Sequence, residues 1–158
     1  MKGDKSTMTE VYMPWEAILK IGMNGVNSSD DEMEIITNYT SVAHTTSYEK
    51  DEWYPLPGKG RKASMVISKE DLLEIKFKSV KDDPAGRYLI SLPALNIGNG
   101  AMTRVIFINP YGFKYDGSAT VEIPDETYEG NKVSDVSAKL TYSADCKVTD
   151  TLETEEGA

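Results

Sequence analysis

A single cysteine, Cys146, leaves this chain without an internal disulfide, a Cys-rich zinc site or a thioredoxin-type pair. Stability must therefore come from packing and from neighbours. No apolar run approaches the ~20 residues needed to span a bilayer, so no membrane partner is expected. The opening MKGDKSTMTEVYM lacks the apolar stretch of a signal peptide, which points to synthesis in the cytoplasm. Positive charge is also short: 17 Lys and Arg stand against 26 Asp and Glu, for a formal net charge of -9. A like-charged polymer such as DNA is repelled by such a surface, not gripped, and specific nucleic-acid binding is disfavoured. Internal repeats are absent. The 158 residues suffice for one ordinary core but not for two enzyme-like lobes.

What is present is β-patterned. Residues 1–9 are polar and charged and read as a mobile arm, extending to residue 15 through Val11, Tyr12, Met13, Pro14 and Trp15. Ala17, Leu19, Ile21 and Met23 then alternate with Ile18, Lys20 and Gly22, which puts one apolar face on a strand. After a turn over residues 24–31, MEIITNYTSVA (33–43) is rich in β-branched and aromatic residues and predicts a second strand. Leu73, Ile75 and Phe77 alternate with Glu74, Lys76 and Lys78 in the clearest half-buried strand of the sequence. Asp82-Asp83-Pro84 supplies a carboxylate cap and a first-turn proline for a helix that turns Tyr88, Leu89 and Leu92 inward, with Pro93 ending or bending it. Residues 105–108 form a short buried strand. Alternation of Ala119, Val121 and Ile123, and of Val136, Ala138, Leu140 and Tyr142, predicts two more strands. One helix among six or seven strands, without βαβ alternation, argues for a mostly β (α+β) single domain, a β-sandwich or barrel with one flanking helix. Its expected limits are residues 16–148, followed by an acidic tail over 149–158.

One stretch resists this patterning. Residues 45–64, TTSYEKDEWYPLPGKGRKAS, hold two prolines, two glycines, mixed charge and several aromatics, and predict a loop of about twenty residues. Loops of that length are functional or disordered, and Trp53, Tyr54 and Leu56 do not favour disorder. A binding loop is expected.

Residue sets that could carry chemistry fall short of it. His44 and Cys146 are the only Cys/His combination, and they lack any local signature of a nucleophile pair. PGKGRKA resembles a phosphate loop only faintly, because Lys59 is followed by Gly60 and the flanks are not strand and helix. Asp30, Asp31, Glu32 and Glu34 lack the ligand spacing and central glycine of a calcium loop. Carboxylate pairs for glycoside hydrolysis occur in any acidic protein, and no aromatic sugar platform selects one here. The sequons at Asn27 and Asn38 carry no weight without a secretory signal. No catalysis, cofactor or metal is expected.

Three segments, in order, resemble the major tail (tail tube) protein of long-tailed bacteriophages and related prophage particles. They are IITNYTSVAHTTSYEKDEW (35–53), LLEIKFKSVKDDPAGRYLISL (72–92) and the run from Val105 through YDGSATV (115–121) to Leu140. The resemblance rests on the order of elements and covers most of the chain. It implies a virion tail protein, made in the bacterial host, whose hexameric rings stack into a tube through which genomic DNA passes without specific binding. Implied partners are other copies of the chain, the tape measure, the tail terminator and the distal tail or baseplate proteins. In such proteins the long early loop and the chain termini contact adjacent subunits and adjacent rings. Here that assigns self-assembly contacts to Tyr48, Trp53, Tyr54, Leu56, Lys59 and Arg61, and arm contacts to Tyr12 and Trp15. The extra immunoglobulin-like domain of some relatives is not expected. The competing classes are a tail-tip adaptor or other β-sandwich binding module and, more weakly, a small hydrolase.

Overall fold

The computed structural model describes residues 10–152, so the arm expected over residues 1–9 and the end of the acidic tail lie outside the described residues. Eight strands build one antiparallel sheet: β1 (Ile18–Val26), β2 (Met33–Ile35), β3 (Tyr39–Trp53), β4 (Ala63–Lys78), β5 (Met102–Ile108), β6 (Phe113–Thr127), β7 (Asp135–Tyr142) and β8 (Lys147–Asp150). Their order across the sheet is β2-β1-β5-β6-β7-β4-β3, with β8 paired to β6 beside the start of that strand. The terminal strands of that order, β2 and β3, are joined by residues 36–38 alone. Four residue steps reach at most roughly 14 Å. The sheet is therefore obliged to roll until its two edges meet. Tyr39 at the start of β3 shows the closure, because its hydroxyl donates to the carbonyl of Ala17, just before β1, at 2.7 Å. The result is the barrel-like form of the expected fold class.

The alternating strands bury the faces that their sequences mark. Leu19 and Ile21 on β1, Leu73, Ile75 and Phe77 on β4, Ala119 and Val121 on β6, and Val136, Ala138, Leu140 and Tyr142 on β7 all enter the core. One helix, α1 (Pro84–Leu95), closes that core. Asp83 caps it by accepting from the backbone N–H of Gly86, Pro84 occupies its first turn, and Ala85, Leu89 and Leu92 are buried. Tyr88 is half-buried, and its hydroxyl accepts from the N–H of Gly25 at 3.0 Å, tying the helix to the end of β1. Lacking an N–H, Pro93 cannot bond back into the preceding turn, and the helix ends two residues later.

Three expectations need correction. The strand expected over residues 33–43 is broken: β2 stops at Ile35, Ile36 is fully buried, and the chain crosses to the opposite sheet edge before β3 begins. A run of β-branched residues reports strand preference but not which edge each part joins. Second, the region from 149 on is not simply a tail, since Thr149 and Asp150 complete β8 and pair with Lys114 and Phe113. The β-branched Val148 and Thr149 outweigh the acidic composition there. Third, residues 45–64 are not an irregular loop. They are mostly β3 and the start of β4, paired from Thr45↔Leu72 to Trp53↔Ala63, so only residues 54–62 form a turn.

β8 depends on a close backbone approach. A Cβ built on Gly117 of β6 would lie 2.6 Å from Cα of Cys146, in the β7–β8 turn. Gly117→Ala should accordingly cost ~1–3 kcal/mol, as overpacking does. It should also release residues 147–150 to amide exchange. Unchanged stability to urea together with unchanged protection of these amides would contradict the close packing.

Candidate functional site

β4 pairs with β7 only from Leu72 onward, whereas β3 and β4 pair with each other as far as Ala63. The β3–β4 hairpin therefore continues past its pairing with β7 as a two-stranded ribbon of about nine residues per strand, roughly 30 Å long at ~3.3 Å per residue. A polar clamp marks its root. There Asp71, nearly buried, accepts from Thr46 Oγ1 at 3.0 Å and shares a 2.9 Å hydrogen bond with His44 Nε2. The His44 ring also packs edge-on against Tyr115, with centroids 4.7 Å apart.

Beyond the clamp the ribbon has no core of its own. Residues 64–70 of β4 and 47–53 of β3 are exposed on both faces. This explains why the sequence shows no apolar alternation there: period-two patterning records one-sided burial, not strand conformation. A two-stranded ribbon is at best marginally stable alone in water. Among the described residues, both of its backbone edges also lack a strand partner.

All the residues assigned to the long loop lie on this ribbon or its turn. Tyr48 stands opposite Lys69 midway along it, and Trp53 stands opposite Ala63 where the strands end. The turn holds Tyr54, Leu56, Lys59 and Arg61, with Leu56 96% exposed. Lys59 and Gly60, with φ of 53° and 89°, make a tight left-handed turn that leads into a strand, not a helix, which removes the phosphate-loop reading. Sequence reasoning missed Met65, Val66 and Ile67 on the second strand, each at least half exposed. Three successive apolar residues cannot all face one side of a sheet, and that was the available signal.

Tyr12 and Trp15 occupy a separate patch. Tyr12 packs edge-on against Tyr111 of the β5–β6 turn, with centroids 4.7 Å apart, and Trp15 is 76% exposed. Between this segment, the start of β3 and Phe107 runs an apolar groove of about 780 Å³.

Burial pushes the Cys146 thiol up to about 11, the opposite of what an activated nucleophile needs. Among the described residues no cluster of three or more His, Cys, Asp or Glu side chains could hold a metal ion. The acidic turn between β1 and β2 is instead held by Arg104 of β5, which donates to Asp30 Oδ1 at 2.9 Å and to the Ser28 carbonyl at 3.1 Å. Arg104 also makes a two-point pair with Asp116, at 3.0 and 2.8 Å.

Hydrogen bonding from Arg104 holds the Asp116 carboxyl below its ordinary range, so its stabilisation is complete above the unfolded-state pKa and lost as pH falls through the folded one. Asp116→Asn should cost roughly 1–3 kcal/mol at neutral pH. That deficit should narrow below about pH 4. Urea denaturation at several pH values tests this, and a deficit that does not change with pH would refute the charge pairing.

No protein-family model matches the sequence, and no curated protein matches it. Solved structures do. A chain from the tail of an empty gene transfer agent particle with C6 symmetry superposes with a TM-score of 0.67 at 10% identity, covering 88% of this chain and 99% of that one. A chain of the SPP1 tail tube matches with a TM-score of 0.66 at 12% identity, covering 94% of this chain and 86% of its own length. The tube-terminating cap of the anti-feeding prophage matches with a TM-score of 0.58 at 11% identity, covering 90% and 93%. The chain has the tail tube fold.

Proposed function

We propose that this chain is the repeating subunit of a tail-type tube, in which copies close into hexameric rings and the rings stack around a lumen that conducts DNA. The observation that carries this reading is the ribbon: a long, two-faced hairpin with open edges and exposed Trp53, Tyr54 and Leu56, on a fold shared with tail tubes. Open edges and apolar turns are liabilities in a free monomer and become useful when a neighbouring copy covers them. The ribbon residues and the Tyr12/Trp15 patch then serve as subunit contacts, with no reaction catalysed. A net charge of -9 suits a conduit, because repulsion keeps passing phosphates from sticking. The protein would reside in the tail of a virion or tail-like particle, made in the bacterial cytoplasm. Its end partners would be the tape measure, terminator and distal tail or baseplate proteins.

Likeness to a tube-terminating cap favours one second reading, a tail-end component that forms a ring without elongating. Sedimentation velocity over a wide concentration range separates the two. A tube subunit forms species that lengthen with concentration, and an end component stops at one ring. A single-subunit species at every concentration would refute both.

A further inference from the structure

On β3 and β4 the core face runs on beyond the core. Directly paired residues of antiparallel strands share a face, and Val42↔Ile75, His44↔Leu73, Thr46↔Asp71 and Tyr48↔Lys69 follow one another along it. Ile75 and Leu73 are buried in the core. Asp71 comes next, 8% exposed and just past the β4–β7 pairing, which ends at Leu72. Residues 47–53 and 64–70 are all exposed, so the Asp71 rung is the last at which ribbon side chains pack on the barrel.

A buried carboxylate is costly unless its oxygens are satisfied. Here Oδ1 takes the Thr46 hydroxyl at 3.0 Å and His44 Nε2 at 2.9 Å, so one atom of β4 gathers two side chains of β3. His44 carries that hold to the barrel wall. Its ring meets Tyr115 of β6 edge-on and lies 6.0 Å from Phe107 of β5, centroid to centroid. Tyr115 is fixed in turn, because the buried Tyr142 hydroxyl of β7 lies 3.1 Å from its carbonyl and 3.0 Å from that of Val105 on β5.

This root controls a long lever. A rotation of about 10° there moves a tip roughly 30 Å away by ~5 Å, about the spacing of two paired strands. A two-stranded ribbon also twists more freely than a wide sheet, so its direction has to be set where it leaves the barrel. Apolar packing is non-directional, whereas hydrogen bonds hold an angle.

We propose that Asp71 is a positioning residue, which through His44 and Thr46 aims the ribbon at a fixed angle from the barrel. The consequence for self-assembly rests on the tube reading above, since copies that meet through the ribbon need its turn delivered to one place. Folding does not need this carboxylate. Replacing a buried ionic group by an apolar one of similar volume is often neutral or stabilising, and half-buried His44 and Thr46 can turn to water. Stability and aim should therefore come apart in Asp71→Leu.

The test compares the full-length wild type, Asp71→Leu and Asp71→Asn, whose amide oxygen still accepts from Thr46 and His44. Urea denaturation reads stability, and amide residual dipolar couplings of the dissociated subunit read whether the ribbon moves with the barrel. Asp71→Leu should unfold at no lower urea concentration than the wild type, while the couplings of residues 47–53 and 64–70 shrink toward zero and those of the barrel are unchanged. Its tubes should be lost. Asp71→Asn should restore both the couplings and the tubes. If Asp71→Leu does not fold, His44→Phe, which keeps a ring against Tyr115 and removes the hydrogen bond, takes its place in the comparison. Ribbon couplings that fit the barrel frame as well in the apolar variant as in the wild type, or that are already averaged in the wild type, overturn the proposal. Normal tubes from a variant whose ribbon wanders overturn its part in assembly. If the wild type forms no tubes, the tube reading falls, and the couplings alone decide whether Asp71 aims the ribbon.

Discussion

Replacing Trp53 and Leu56 together by alanine is expected to abolish tube formation and leave a normally folded subunit. Neither side chain belongs to the core: Leu56 is almost wholly exposed, and Trp53 sits at the last rung of the ribbon opposite Ala63. Their removal therefore takes little from the fold. Aromatic and aliphatic anchors at the centre of an interface commonly cost ~2 kcal/mol or more when truncated. In a ring-built polymer that loss recurs at every equivalent contact, so a defect of about 1.4 kcal/mol, a factor of ten in one equilibrium, compounds along the stack. Matched sedimentation and circular dichroism of wild type and variant read the outcome. Normal tubes would remove the ribbon as the assembly element, and an unfolded variant would place these residues in the core.

Phe77→Ala is expected to cost ~3–5 kcal/mol. Phe77 is 1% exposed on the inner face of β4, and its ring lies 3.1 Å from where a Cβ on Gly86 of α1 would stand, so it fills the contact between sheet and helix. Against a total of ~5–15 kcal/mol for a domain, that loss brings the fold close to its limit. Its neighbour Lys76 points outward, and Lys76→Ala should stay within about 0.5 kcal/mol. Urea denaturation of the two variants compares them directly. A cost below about 1 kcal/mol at Phe77 would mean that the core does not close on this residue.

The legible parts of the sequence are those where burial is one-sided. β1, β4, β6 and β7 show period-two alternation because one face meets the core and the other meets water, and the cap at Asp83 with Pro84 marks the helix start just as locally. The ribbon is illegible for the same physical reason. Its strands are held by backbone pairing from Thr45↔Leu72 to Trp53↔Ala63, while both faces stay exposed, so nothing alternates and the prolines and glycines of the turn dominate the reading. The composition of residues 45–64 still marked the segment as unusual, and Trp53, Tyr54 and Leu56 stand out in both sequence and structure. Met65, Val66 and Ile67 went unrecognised because they fall between the loop expected over residues 45–64 and the alternating strand of Leu73, Ile75 and Phe77. The meeting of the two sheet edges through residues 36–38 was also beyond local patterning, since it depends on strand order, which no window of the sequence contains.

Electron microscopy of the purified full chain at high concentration tests tube formation most directly. Elongated tubes whose end-on views show sixfold rings, with the β3–β4 ribbon lying against a neighbouring copy once averaged, are the expected result. Discrete particles of single-subunit size at every concentration and ionic strength would contradict it.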